Sequence, residues 1–326
     1  MIKARIIGTG HYLPERVLTN NDLEHLMDTT DEWIRQRTGI LQRHIAADNE
    51  AASDLATHAC QRAMDSAGVA ADEIDFIFCA TLTPDYFMPS SGCLVQHKIG
   101  AKRAGACDIN AACSGFIYAL QHADALIRAG VHKTILVAGS EIMTSRLDWT
   151  KRDTAVLFGD GAGAVVLRAD NGDAGVITTY TASDGGGHDI LMVPAGGSAQ
   201  AITPENINEL NRGIHMNGRE LYKRAVYAFS DAVEQALQRA NVSVDEIDLF
   251  VPHQANRRII AAACERIGLP EEKIFLNLDQ VANTSAASIP IALDQACSQG
   301  RIRAGSLVLL AAFGAGLTWG SAVIRW

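Results

Sequence analysis

The sequence predicts an α/β fold made of two similar halves, and three observations carry that prediction. Apolar runs of strand length alternate with amphipathic runs of helix length along most of the chain. The stretch 63–76 (AMDSAGVAADEIDF) reappears at 236–249 (ALQRANVSVDEIDL), a constant offset of 173 residues. Further along, FGDGAGAVV from Phe158 is paralleled by FGAGLTWGSAV from Phe313. Two matches in the same order indicate a duplicated unit. The boundary falls in the polar stretch 169–175, which gives halves of 1–172 and 173–326.

The individual elements follow in order. Ile6–Gly8 sits in a short strand pattern, and Asp31–Arg37 reads as a helix opened by Thr30 and Asp31. Ala52–Ala67 has helical spacing and stops at Gly68. Ile74–Ala80 is a continuous apolar run, as expected of a strand buried on both faces. Gly105–Ile109 reads as another strand, followed by a helix from Cys113 to Ala129 and a third strand at Lys133–Ala138. Gly159–Gly163 reads as a structural turn before apolar Ala164–Leu167. The stretch 183–213 is rich in Gly, Ser and Asn and reads as a long excursion. Later strands are expected at Asp248–Val251 and Trp319–Ile324.

Bulk properties narrow the function classes. The chain has 326 residues, enough for two domains or one large α/β unit. A net charge of −9 and a pI near 5.5 argue against a general nucleic-acid binder, which needs a basic face. Seven cysteines, at 60, 79, 93, 107, 113, 264 and 297, show no zinc-ligand spacing. Six of them read as reduced, mostly buried thiols. The N-terminal segment has no signal-peptide core, and no apolar run approaches the roughly 20 residues of a membrane span. A cytoplasmic protein with no membrane, metal or nucleic-acid partner is the expectation.

Three segments can carry chemistry. In DINAACSGFIYAL an apolar strand ends, small residues turn the chain, and a helix begins at Cys113. A helix N-terminus favours thiolate over thiol, so Cys113 is expected to be the most reactive cysteine. Backbone N–H groups in such a turn can stabilise an oxyanion. His253, in VPHQAN, lies just past the carboxyl end of a buried strand, where open α/β sheets place their sites. Asn283, in VANTSAASIP, is either an N-cap or a side-chain amide donor. The glycines of Gly159–Gly163 lack GxGxxG spacing and precede a strand, which excludes a dinucleotide fingerprint.

Cys113, His253 and Asn283 in these contexts, with TDEWIRQRTGI from Thr30, FGDGAG from Phe158 and NTSAASIP from Asn283, resemble the β-ketoacyl-(acyl carrier protein) synthase III family over nearly the whole chain. The resemblance implies the thiolase-like αβαβα five-layer fold and a homodimer. It implies that Cys113 is the acylated nucleophile, that His253 and Asn283 hold the malonyl thioester carbonyl, and that the backbone N–H groups of Cys113 and Ala315 form a second oxyanion hole. By the same resemblance Trp33 and Arg152 flank the adenine of coenzyme A, while Arg37, Tyr222 and Asn256 line its remaining path. Arg258 would face the acidic acyl carrier protein, and Met88 would close the partner's acyl pocket. Ala282 and Ala315 stand where the family usually has glycine, so either can strain a backbone that needs positive φ.

The implied reaction is acyl transfer from an acyl-coenzyme A primer to Cys113, followed by decarboxylation of malonyl-carrier protein and carbon–carbon bond formation, with no separate cofactor. The rival within this chemistry is a quinolone- or polyketide-starting synthase of secondary metabolism. The rival outside it is a catalytically silent module that binds the carrier protein.

Overall fold

The computed structural model describes residues 2–208 and 213–326. Strand β1 (Lys3–Tyr12) is followed by helices α1 (Asp31–Thr38) and α2 (Ala52–Ala67), strand β2 (Phe76–Ala80), helix α3 (Ser91–Lys98) and strand β3 (Gly105–Ile109). Next come helix α4 (Gly115–Arg128) and strands β4 (Thr134–Ile142), β5 (Asp160–Asp170) and β6 (Gly175–Ser183). The chain continues through α5 (Gly218–Ala240), β7 (Leu249–Pro252), α6 (Arg257–Ile267), α7 (Ser288–Ser298), β8 (Leu307–Gly314) and β9 (Thr318–Arg325).

The two larger sheets among the described residues are ordered β1-β5-β4-β2-β3 and β6-β9-β8-β7. Each starts with two antiparallel pairings and then a parallel one, β4 with β2 and β8 with β7. The repeated sequence adopts repeated structure. Helices α2 and α5 both end on a left-handed residue, Gly68 at φ 63° and Asn241 at φ 53°, the two residue types that tolerate that cap best. A 3₁₀ turn follows each, at Ala71–Glu73 and Val244–Glu246, and then β2 or β7.

Helices α4 and α7 lie between the sheets. Phe116 and Leu120 of α4 and Ile289 and Leu293 of α7 share a buried cluster with Val137 of β4 and Leu310 of β8. Leu55 and Ala63 of α2 cover the far side of the first sheet, against Ile77 and Leu136. Phe229 of α5 and Ile260 of α6 cover the far side of the second, against Phe250 and Leu309. The order is helix, sheet, helix, sheet, helix, with both sheets buried on both faces. That is why β2 (FIFCA) and β8 (LVLLAAFG) are unbroken apolar runs. Each fully buried Leu, Ile or Phe contributes about 1.5–3 kcal/mol.

Three sequence expectations change. The segment Gly159–Gly163 is no turn, because β5 begins at Asp160 and both Gly161 and Gly163 pair with β4. A Cβ on Gly163 would sit 2.4 Å from Ile291 N of α7, so glycine is needed there for helix-on-strand packing. The helix expected to start at Cys113 starts at Gly115, and Cys113 lies in a preceding 3₁₀ turn, Ala112–Ser114. The excursion 183–213, described except for 209–212, carries the short strand Leu191–Met192, paired with His215–Met216.

The two alanines at family glycine positions separate cleanly. Ala282 has φ 60° and ψ −164°, a region that costs a non-glycine residue about 1–3 kcal/mol. In the turn after β8 the positive φ falls on Gly316, at 134°, so Ala315 escapes that strain. We expect Ala282→Gly to raise stability by about 1 kcal/mol, relief of strain exceeding glycine's entropy cost and the loss of one buried methyl. Thermal unfolding measures it; a lowered Tm would mean that the methyl's packing against Ile34 and Leu278 outweighs the strain.

Candidate active site

Three chain turns meet where the two sheets approach. The turn bearing Cys113 leaves β3 and is strained at Ala112, φ 46°. His253 directly follows β7, and its backbone N–H donates to Ala311 O of β8 at 2.8 Å. Asn283 stands between Ala282 and the 3₁₀ turn Ser285–Ala287, where Ser285 has φ 50°. That turn can lie against β4 because Gly139 has no side chain: a Cβ there would come 2.3 Å from Ala286 O. Cys113, His253 and Asn283 line one cavity of about 750 Å³, the size of a small-molecule site.

The same cavity is lined by Trp33, Arg37, Tyr222, Asn256 and Arg258. Arg152 stands beside it, its guanidinium 4.8 Å from the Trp33 ring centre. Asn256 caps α6 by accepting the Arg258 N–H at 2.9 Å and donates to Arg37 O at 3.1 Å, which ties α1 to α6 at the cavity wall. Gly314 lines the cavity beside Cys113, and Ala315 follows it in the turn. Met88 is not brought to the cavity of its own chain. It lies on the loop between β2 and α3, 85% exposed, beside Phe87 at 92%.

Burial sets the protonation states. His253 is fully enclosed, and loss of hydration pushes its imidazole down to about 3, so the ring is neutral at working pH. Its Nδ1 lies 2.6 Å from Ser288 Oγ. That hydroxyl accepts the Gln254 N–H at 3.4 Å; when it gives its own proton to Nδ1, the ring proton sits on Nε2, which is then a donor. Of the two sequence readings of Asn283, the cap is the one seen in the hydrogen bonds. Its Oδ1 accepts the Ser285 N–H at 2.9 Å, as a cap does, and its NH₂ remains a donor.

Burial opposes the lowering expected for the Cys113 thiol. Burial pushes it up to about 12, the Ser285 hydroxyl opposes that by hydrogen bonding, and the nearby Glu141 adds to it. Desolvation outweighs the helix end because the sulfur sits inside the protein, two residues short of α4. Nor are the other thiols uniformly buried, since Cys93 is exposed and Cys107 and Cys297 are half-buried. We expect alkylation of Cys113 by iodoacetamide, followed by peptide mapping, to keep accelerating past the ordinary thiol value of 9.0. A plateau near neutral pH would show that the turn amides dominate.

Glu141, Ser285 and Ser288 were not legible as site residues. Glu141 is the penultimate residue of β4 and is fully buried, with its carboxyl pushed up to about 7 by desolvation. The available signal was an acidic residue inside the otherwise apolar run TILVAGSEI. Among the described residues no His/Cys/Asp/Glu group is arranged to hold a metal, and no helix is long and apolar enough to cross a membrane.

The chain is similar to known proteins along nearly its whole length. Family models described as 3-oxoacyl-[acyl-carrier-protein] synthase III and its C terminal match residues 107–185 and 237–326. The β-ketoacyl-[acyl-carrier-protein] synthase III of Xanthomonas campestris is 49% identical over 325 residues, 100% of this chain and 99% of that protein. The crystal structure of 3-oxoacyl-[acyl-carrier-protein] synthase III from Aquifex aeolicus superposes with a TM-score of 0.92 at 44% identity, covering 99% of this chain and 100% of that one. The priming β-ketosynthase of the R1128 polyketide pathway shares the fold at 33% identity and a TM-score of 0.93, covering 99% and 96%. The fold is thus thiolase-like, and the class is that of acyl-transferring condensing enzymes. Within that class the chain belongs to the β-ketoacyl-(acyl carrier protein) synthase III family. It is an acyl-transferring condensing enzyme, a transferase of fatty-acid synthesis.

Proposed function

We propose that Cys113 is the cysteine that carries the acyl group, and that His253 and Asn283 stabilise the enolate formed when malonyl-carrier protein loses CO2. The observation that supports this most is the convergence of one thiol and two neutral donors, Nε2–H and an amide NH₂, in one cavity. Neutral donors suit a developing anion in a dry site, where an imidazolium would be costly. The backbone N–H groups of Cys113 and Ala315 serve the tetrahedral intermediate at the sulfur. Coenzyme A enters past Trp33, Arg37, Arg152, Tyr222 and Asn256. Arg258, with Arg219 and Lys223, gives the mouth exposed positive charge on a chain of net charge −9, which suits an acidic carrier protein. On this reading the halves 1–172 and 173–326 supply the nucleophile and the donors respectively, and the seven free thiols suit a reducing cytoplasm. Turnover of acyl-coenzyme A with malonyl-carrier protein tests the reading; loss of CO2 without an acyl adduct on Cys113 would overturn it.

A homodimer is part of the same proposal. Strand β3 is the open edge of the five-stranded sheet, half-buried along its length, and the loop before α3 exposes Tyr86, Phe87 and Met88. A second copy paired at this edge would cover that loop and let Met88 close the partner's acyl pocket. Methionine is unbranched and adjustable, so primers longer than acetyl should be accepted, each added buried methylene contributing about 0.8 kcal/mol. We expect Met88→Phe to shorten the accepted range while sparing acetyl turnover. The measurement is kcat/KM over a primer series for both proteins; identical profiles would remove Met88 from the pocket.

A further inference from the structure

The proposed reaction leaves one proton unassigned. Cys113 is held as a thiol and must lose its proton as it attacks. His253 cannot take it if Nδ1 faces Ser288 and Nε2 already carries a proton. A second buried group stands behind the sulfur. Glu141 Oε2 is held by Thr83 Oγ1 at 2.6 Å, Leu82 N at 3.1 Å and Thr81 Oγ1 at 3.2 Å. Its other oxygen, Oε1, is equally buried and has no partner of normal hydrogen-bond geometry, and the same is true of Ser285 Oγ. The turn Ser285–Ala287 packs both on β4, which carries Glu141, and on the turn Ala112–Ser114, which carries Cys113, so the Ser285 hydroxyl is placed between the Glu141 carboxyl and the Cys113 thiol. The positive φ of Ser285 and the bare Cα of Gly139 are what allow this approach.

Resting on the assignment of Cys113 as nucleophile, we propose that Glu141, through the hydroxyl of Ser285, accepts the Cys113 proton during acylation and returns it during condensation. In the first step the S–H bond breaks, Ser285 takes that proton and passes its own to the carboxylate. Sulfur adds to the thioester carbonyl, the bond to coenzyme A breaks, and the departing thiolate takes a proton from solvent. In the second step the new carbon–carbon bond forms, the Cys113–acyl bond breaks, and the thiolate is reprotonated along the same path. One proton is consumed per turnover, which balances the carboxylate lost as CO2.

The acceptor is the carboxylate, so acylation should rise as pH rises through about 7, where burial has moved Glu141. The titratable groups facing Glu141 are the thiols of Cys113 and, from β2, Cys79. On the other elements packed against β4, Asp160 is turned to Thr144, Asp54 to Lys98 and Asp124 to Arg128.

The experiment is single-turnover acylation of the full chain by acetyl-coenzyme A, followed by intact mass across pH on both sides of 7. Glu141→Gln should slow acylation by about 100-fold and lose the pH-dependent rise, with partial recovery in Glu141→Asp. Ser285→Ala should show the same loss, and the double variant no greater loss than either single one. Decarboxylation of a malonyl thioester, which needs no proton from Cys113, reports whether fold and donors survive. Equal slowing of both partial reactions, a retained pH rise in Glu141→Gln, or acylation as fast as in the parent overturns the relay. An acyl group found elsewhere than Cys113 in the parent overturns the nucleophile assignment instead.

Discussion

Cys113→Ala should take up no acyl group from acyl-coenzyme A, while His253→Ala and Asn283→Ala should take it up and then stall. The steps separate because sulfur makes the covalent bond, whereas the two donors meet charge that appears only when CO2 leaves. Loss of a nucleophile in a covalent enzyme costs on the order of 10⁶-fold in turnover, and loss of one oxyanion donor about 10²–10³-fold. Asn283→Ala also removes the cap on Ser285 N–H, worth about 1 kcal/mol, so some of its loss is structural. Asn283→Asp resolves the two contributions. It keeps an oxygen for the cap and replaces the donor with an acceptor, so it should be as inactive as Asn283→Ala and more stable. Intact-mass analysis of each variant, with CO2 release in parallel, decides the matter; an acyl adduct on Cys113→Ala would sink the assignment.

Gly314→Ala should cost about 10²–10³-fold in acylation although it adds one methyl group. A Cβ at Gly314 would lie 2.8 Å from Cys113 N and 3.2 Å from Ser114 N, directly over the amide proposed to hold the oxyanion. Both neighbours are backbone, fixed by the start of α4, so the clash cannot be relieved by turning a side chain. Gly314 does not have positive φ, which leaves contact rather than conformation as the cause. The measurement is single-turnover acylation beside thermal unfolding. A rate within tenfold of the parent would mean that the Cys113 amide does not serve the intermediate.

Legibility in the sequence tracked how local the information was. Glycine and asparagine at equivalent helix ends, two Asp-Glu-Ile-Asp turns and unbroken apolar strands are written in contiguous residues, so the repeat could be read directly. Cys113, His253 and Asn283 each stood out because small or polar residues surround them at the end of an apolar run. The glycines at Gly161 and Gly163 misled, since a glycine kept small for α7 to pack on looks the same in sequence as a glycine in a turn. Glu141 is not legible because a buried acid inside an apolar strand looks like the strand's end until Ser285, 144 residues away, is placed against it.

By itself, then, the sequence determined the α/β class, the duplication, the family and three chemically plausible side chains, all of which rest on local pattern. Tertiary structure decided the protonation states. Cys113 sits at a place where a helix end favours thiolate, yet walls contributed by β4, β8 and the Ser285 turn strip it of water, and desolvation prevails. It also decided which of two alanines is strained, because the positive φ falls on Ala282 in one turn and on Gly316 rather than Ala315 in the other. Hydration and backbone angles depend on what surrounds a residue in space, and here most of those surroundings come from segments more than a hundred residues away along the chain.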